Sequence, residues 1–151
     1  MIRTERRLRL CAALIAANLV FIWGNSLLPG SVSGAFSDWV KELLSRLLPW
    51  MGSGGGGTGL LRKLAHFSEF ALLGMLLSWL AGMLDRSKLL PLVWGCLAAC
   101  TDETIQRFVP DRGPSLRDVG IDTCGVAAGM ALLWLGYTVS KKRKKHSDAR
   151  L

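Results

Sequence analysis

The chain has 151 residues, half of which are hydrophobic, and a formal net charge of +8 at neutral pH. Residues 1–10 carry a net charge of +3 and residues 141–151 a net charge of +5, so the residues between these two tails are neutral overall. A nucleic-acid-binding protein spreads its basic residues over a folded face, whereas basic tails beside apolar segments are typical of membrane proteins, so this pattern argues against a nucleic-acid partner.

The sequence contains four strongly apolar segments, at residues 8–28, 64–84, 89–105 and 119–139. A membrane-spanning helix needs about 20 mostly apolar residues, and the second and fourth segments meet this length easily. The third segment is short, and it spans only if its acidic end lies in the membrane interface or in a wet cavity. Because the segments are apolar on all faces, a soluble helical bundle is the weaker alternative. We therefore predict an all-α integral membrane bundle of four transmembrane helices.

The orientation of this bundle follows from the basic tails, which the positive-inside rule places in the cytoplasm. An even number of spans satisfies both tails, so the polar segments 29–63 and 106–118 are expected outside the cytoplasmic membrane. The first apolar segment also resembles a signal peptide, but it is long for one and no clear cleavage site follows it, so we predict a retained helix. Residues 1–140 would then form the membrane domain and residues 141–151 a basic cytoplasmic tail.

A different pattern lies between the first two spans. Apolar residues recur there at the helical period opposite a charged face, which predicts an amphipathic helix at about residues 35–48. This helix either lies on the outer leaflet, anchored by Trp39 and Trp50, or packs its apolar face onto the bundle. Residues 52–59 are nearly all glycine and serine, which is typical of a flexible linker.

The polar residues of the four predicted spans lie near one end of each helix. In a four-span bundle the first and third helices end at the outer face and the second and fourth begin there, so we expect these residues at one depth. The inner halves of the helices hold almost no polar residues. Ion or proton transport is therefore a weaker interpretation, because transport requires polar groups along the whole path.

Helical spacing groups these residues further. Asp102 shares a helix face with Gln106, and Asp118 shares one with Asp122. Two small residues lie deeper on the face of Asp122, namely Gly125 and Gly129. The second helix carries a matching stripe of small residues, namely Gly74, Ser78 and Gly82. Close packing of these two faces is expected to bring His66 and Glu69 near Asp122.

Three parts of the sequence resemble the VanZ-like family. Residues 63–74 (KLAHFSEFALLG) resemble its second-helix motif, and residues 101–112 (TDETIQRFVPDR) with 118–125 (DVGIDTCG) resemble its other signature. Residues 23–26 (WGNS) resemble the polar end of its first helix, and the resemblance extends from residue 8 to residue 139. It implies a small polytopic membrane protein of the cell envelope. The founding member of the family is associated with resistance to the glycopeptide teicoplanin.

Two functions fit the residues expected at the outer end. In the first, the protein binds an anionic lipid headgroup or a lipid-linked envelope precursor, because arginine side chains suit phosphate and carboxylate groups. The acidic residues would hold the arginine side chains in place. The candidate binding residues are Ser26, Lys63, Glu103, Gln106, Arg107, Arg112, Arg117 and Asp118.

In the second function, the protein is a membrane-embedded enzyme that acts on a lipid-linked envelope substrate. Its candidate catalytic residues are His66, Glu69, Asp102 and Asp122. They would act either as general acids and bases or as ligands of a divalent metal. The structural alternative is that ion pairs such as Lys63–Glu69 merely join the helix ends. No nucleophile motif accompanies these residues, and neither pattern identifies a particular lipid, a metal or an oligomeric state.

Overall fold

The computed structural model describes residues 2–47 and 58–148, and the described residues form five α-helices. Their bounds are Ile2–Ser26 (α1), Gly30–Leu47 (α2), Thr58–Met83 (α3), Leu90–Gln106 (α4) and Leu116–Asp148 (α5). The predicted all-α fold is therefore confirmed, including a shorter helix between the first two apolar segments. The predicted linker at residues 52–59 lies outside the described residues except for its last two positions, and Trp50 lies outside them as well.

Three stretches of helix among the described residues are long and apolar enough to cross a membrane, namely Thr4–Ser26, Leu60–Met83 and Leu116–Arg143. α4 has 17 residues, which is shorter than the roughly 20 that span a bilayer core. α1, α3 and α5 begin earlier than the corresponding apolar segments, α4 begins one residue later, and α5 continues into the basic tail. Backbone hydrogen bonding continues into polar flanks, whereas hydropathy marks only the apolar part of each helix.

The centre of the bundle is packed from four helices. The buried core consists of Ile22, Phe70, Leu73, Ala98, Ala99 and Val126. Three glycines lie where α3 crosses α5, namely Gly74, Gly125 and Gly129. A Cβ atom at any of them would lie under 3.0 Å from a backbone oxygen of the facing helix, so only glycine permits this separation. This confirms the predicted small-residue contact, although Gly82 has no atom of a neighbouring helix within 4 Å of its Cβ position and does not take part.

The loop between α4 and α5 is held against the start of α2. The backbone N–H of Gly30 donates a hydrogen bond to the carbonyl of Pro110 at 3.2 Å. A Cβ atom at position 30 would lie 2.3 Å from the carbonyl oxygen of Asp111, so the loop can approach this closely only at a glycine. Asp111 itself adopts a left-handed conformation with φ 58°. This turn places Arg112 over the end of α1.

α2 packs against α3 along part of its length, with Val40 half-buried. Trp39 on the same helix is 58% exposed. One part of its apolar surface therefore contacts the bundle, as the second alternative predicted, and another part is open to the surroundings. Together with α1 and α3 it forms the walls of a groove described below.

Candidate functional site

The polar residues converge where α1 and α4 end and where α3 and α5 begin, a region that we call the polar end. Several contacts join distant parts of the chain here. The side-chain amide of Asn25 on α1 donates a hydrogen bond to Glu69 Oε1 on α3 at 3.1 Å. The backbone N–H of Ser115 donates one to Glu103 Oε2 on α4 at 2.7 Å. These contacts place the polar residues together at one end of the bundle.

Gln106 joins the ends of α1 and α4. Its amide nitrogen donates hydrogen bonds to Asp102 Oδ2 at 2.8 Å and to Ser26 Oγ at 3.2 Å. Asp102 and Ser26 have no exposed surface, and Gln106 is 5% exposed. The predicted shared face of Asp102 and Gln106 is therefore directed into the bundle, and the amide fixes one oxygen of the Asp102 carboxylate.

Three side chains from different helices meet beside this network. A nitrogen of His66 on α3 and carboxylate oxygens of Asp102 on α4 and Asp122 on α5 all lie within 4.8 Å of one another. We call these three residues the His–Asp–Asp cluster. The other oxygen of Asp102, Oδ1, is buried and has no hydrogen-bond partner among the residues that the structure describes. Leaving a buried polar atom unpaired costs about 1–3 kcal/mol, and more for a charged group.

Glu69 lies next to this cluster. Its Oε2 atom is 3.7 Å from Nδ1 of His66, and the two side chains are 14% and 13% exposed. Its other oxygen is held by Asn25. The packing of α3 on α5 thus brings His66 and Glu69 to the same end as Asp122, as the glycine faces predicted.

Lys63 and Asp118 form an ion pair at the rim of the polar end. Lys63 Nζ lies 3.1 Å from Asp118 Oδ1, and the side chains are 35% and 24% exposed. The ion pair joins α3 to α5. The structural alternative had paired Lys63 with Glu69 on its own helix, and the structure instead pairs it with a residue of the neighbouring helix.

Arg112 reaches into the polar end from the α4–α5 loop. Its Nη2 atom donates a hydrogen bond to the carbonyl of Asn25 at 3.1 Å. Its Nε and Nη1 atoms are buried and have no hydrogen-bond partner among the described residues. Burial lowers the pKa of the Arg112 guanidinium, and the nearby positive charge of Arg62 lowers this pKa further. Because an arginine pKa starts so high, the side chain remains a cation with unused donors.

Arg62 is a residue of this region that the sequence analysis did not name. It lies beside His66, Asp118 and Asp122 around a small cavity. Its spacing of four residues before His66 places the two on one helix face, and this signal was available in the sequence. Arg107 and Arg117, by contrast, are exposed and line neither cavity described here, so the structure does not bring these two predicted residues into the site.

Two cavities open at the polar end. The smaller has a volume of about 10 Å³, room for about one water molecule or ion, and is lined by His66, Asp122 and their charged neighbours. The larger is a groove of about 410 Å³ between α1, α2 and α3. His66 and Arg62 line both of them, so the groove and the small cavity share a wall.

The chain was also compared with known proteins. The VanZ/LLP1 family model matches residues 10–137, a stretch that contains every residue of the polar end discussed above. No curated protein and no solved structure matches the chain.

Proposed function

The chain belongs to the VanZ/LLP1 family of polytopic membrane proteins, and we propose that it binds the anionic headgroup of an envelope lipid or lipid-linked precursor at its polar end. One observation carries this proposal: the groove of about 410 Å³ is apolar over most of its wall and charged at one end. A ligand that satisfies both parts must itself be an amphiphile. Binding sites of this volume are typical of drug-sized ligands or of part of a lipid.

The apolar wall suits a hydrocarbon chain. It is formed by side chains of three helices and of the turn between α1 and α2, chiefly Phe21, Leu28, Val32, Val40 and Leu61. Phe21 is 57% exposed and Val32 is 50% exposed, so the groove is open along its side. In a bilayer such an opening faces lipid tails, which allows a lipid to enter sideways without leaving the membrane.

The charged end suits a phosphate or carboxylate. Arg112 offers the two buried donors described above, and Arg62 adds a second guanidinium at the same end of the groove. Guanidinium groups bind phosphate and carboxylate oxygens through paired hydrogen bonds, which are stronger than those between neutral groups. The hydrogen bond from Arg112 to the carbonyl of Asn25 holds its side chain in place for this purpose.

The proposed topology has four spans, both basic tails in the cytoplasm and the polar end outside. α4 has 17 residues, a length of about 26 Å at 1.5 Å per residue, against a hydrocarbon core of about 30 Å. A helix of this length does not cover the full core, so its polar last turn would lie in a wet cavity at the outer face of the membrane. Binding of a cell-wall precursor at that face is the form of this function that would connect it to glycopeptide (teicoplanin) resistance.

The test is lipid binding by the purified full chain in phosphatidylcholine nanodiscs. Phosphatidylglycerol and a polyprenyl phosphate are titrated in, and binding is followed by native mass spectrometry. We expect Arg112→Gln to weaken binding of both anionic lipids by about tenfold or more, since a hydrogen bond to a charged group contributes about 1.5–3 kcal/mol. Arg46→Gln removes the same charge from the exposed surface of α2 and is the matched control. Equal affinities in wild type and Arg112→Gln, or equal losses in both variants, would contradict the proposal.

A second function, a membrane-embedded enzyme that acts on the bound lipid, is favoured by the short distance between Glu69 and His66 next to two further carboxylates. A histidine beside a carboxylate can act as a general acid or base. In the same nanodiscs, release of phosphate or conversion of the headgroup would show turnover. His66→Asn should then abolish turnover while lipid binding is retained. If the bound lipids are recovered unchanged after long incubation, the enzymatic function is contradicted and lipid binding remains the proposed function.

A further inference from the structure

We propose that the His–Asp–Asp cluster is a binding site for one divalent transition-metal ion, Mn²⁺ or Zn²⁺. The ligand atoms of His66, Asp102 and Asp122 lie within 4.8 Å of one another. Two ligands of the same ion, each bound at about 2.0–2.2 Å, lie at most about 4.4 Å apart. The three atoms are therefore at most a few tenths of an ångström further apart than two ligands of one ion can be, and rotation of the side chains would bring them closer.

The unpaired, buried Oδ1 atom of Asp102 is a second observation that favours a bound ion. Asp102 has no exposed surface, so water outside the bundle does not solvate this oxygen. Its partner oxygen, Oδ2, is already held by the amide of Gln106 at 2.8 Å. A carboxylate with one oxygen fixed and the other unpaired inside a protein is the arrangement expected of a metal ligand whose outer partner orients it.

The surroundings of His66 fit the same role. The Nδ1 atom of His66 lies 3.7 Å from Glu69 Oε2, and both atoms are buried without a hydrogen-bond partner among the described residues. Metal-bound histidines usually direct their other nitrogen to a carboxylate or carbonyl, which fixes the orientation of the ring. Asn25 holds Glu69 in turn at 3.1 Å. Asp102 thus has a hydrogen-bonded outer partner in Gln106, and Glu69 is the carboxylate placed to become one for His66.

The charges around the cluster favour a dication. Five carboxylates lie close enough to interact electrostatically, namely those of Glu69, Asp102, Glu103, Asp118 and Asp122. The neighbouring cations among the described residues are Arg62, Lys63 and Arg112. Five negative groups facing three positive ones leave two negative charges uncompensated when all are ionised. Buried charges are costly unless paired or bound to a metal, and one divalent ion supplies the missing charge.

The ligand types narrow the choice of metal. Carboxylate oxygens alone suit Mg²⁺, Ca²⁺ and Mn²⁺, whereas imidazole suits Zn²⁺ and other transition metals. One imidazole with two carboxylates therefore favours Mn²⁺ or Zn²⁺. The cavity of about 10 Å³ beside the cluster, which His66 and Asp122 line and Asp102 does not, has room for about one water molecule or ion. His66 also lines the lipid groove, so the ion would lie close to a headgroup bound there.

The first experiment measures the metal content of the purified full chain in detergent, without added lipid. The protein is stripped with EDTA, incubated separately with Mn²⁺ and Zn²⁺, passed through a desalting column and measured by inductively coupled plasma mass spectrometry. We expect about one ion per wild-type chain, as for a single set of three ligands. Asp102→Asn and Asp122→Asn should each lose the ion. Asp111→Asn removes an exposed carboxylate at the same end, and asparagine tolerates its left-handed conformation, so this variant should retain the ion.

The second experiment does not depend on whether the aspartate variants fold. The wild-type chain loaded with Mn²⁺ should show electron spin echo modulation from one imidazole nitrogen. His146 is the other histidine of the sequence, so the modulation should persist in His146→Gln and identify His66 as the ligand. Wild-type protein that binds neither metal, or binds it without nitrogen modulation, overturns the proposal. Because no anionic lipid is present, failure here would leave headgroup binding standing, and failure of headgroup binding would leave this metal site standing.

Discussion

The two ends of the bundle differ in whether their charged side chains are buried or exposed. At the polar end Asp102 and Asp122 are 0% and 3% exposed. At the other end, in the turn between α3 and α4, Asp85, Arg86 and Lys88 are all exposed. The second arrangement is the inexpensive one, because ionised side chains lose much of their hydration energy on burial. Charges that remain buried at one end of so small a protein are therefore better explained by function than by folding.

The stability of the molecule comes from a third place, between the two ends. There the apolar core and the glycine crossing of α3 and α5 bring the helix backbones together. The polar end is built on this crossing, since His66 and Asp122 belong to the two helices that it joins. The residues that hold the helices together are therefore different from the residues that form the polar end.

The largest effect concerns which side of the membrane each end of the bundle faces, because this property is all or none. In a background without native cysteines, Gly113→Cys near the polar end and Lys88→Cys in the opposite turn are labelled with a membrane-impermeant maleimide in intact cells. We expect position 113 to react in intact cells and position 88 only after permeabilisation. Labelling of both positions from the same side would show that α4 does not cross the membrane, and the two ends would no longer face different compartments.

The next effect is on the free energy of unfolding. Gly129→Ala places a methyl group against the carbonyl oxygen of Ala71 on α3, and we expect a destabilisation of about 1–3 kcal/mol. Gly136→Ala lies on the same helix with no contact within 4 Å of its Cβ position, and it should cause no such loss. Unfolding of both variants in detergent is followed by circular dichroism. Equal stabilities would mean that the crossing does not hold the helices together.

The smallest effect concerns the rim of the polar end. Lys63 and Asp118 are 35% and 24% exposed, so their ion pair is partly screened by solvent. A double-mutant cycle of Lys63→Ala and Asp118→Ala should give a coupling of about 0.2–1 kcal/mol in the free energy of unfolding. A coupling of several kcal/mol would show that this pair behaves like a buried ion pair. It would contradict the distinction between a solvent-screened rim and a buried interior.

The metal and lipid experiments described above also contrast a buried residue with an exposed one. Asp102→Asn and Asp111→Asn both remove a carboxylate from the polar end, but only the first removes a buried one. Arg112→Gln and Arg46→Gln likewise differ in whether the guanidinium is part of the site. We expect Asp102→Asn to lose the metal ion and Arg112→Gln to lose the lipid, whereas Asp111→Asn and Arg46→Gln should keep them.

Much of the site could be predicted from the sequence because helical periodicity is local. The spacing of Asp102 and Gln106 placed them on one face, and the structure joins them by a hydrogen bond. The small residues Gly125 and Gly129 likewise predicted a close crossing with α3. The three arginines after α4 could not be separated in this way. Arg107 and Arg117 are exposed at the end of α4 and the start of α5, whereas Arg112 lies in the loop that folds back onto α2 and is not exposed.

The apolar helices, the family and the collection of polar residues at one end follow from the order of residues alone, because hydropathy and helical period require nothing else. Which atoms meet depends on how the helices pack. The glycine contacts hold α3 against α5, and the packed bundle brings His66 within reach of Asp102 and Asp122. The left-handed turn at Asp111 directs Arg112 inward. These are contacts between residues far apart in the chain, and no local pattern encodes them.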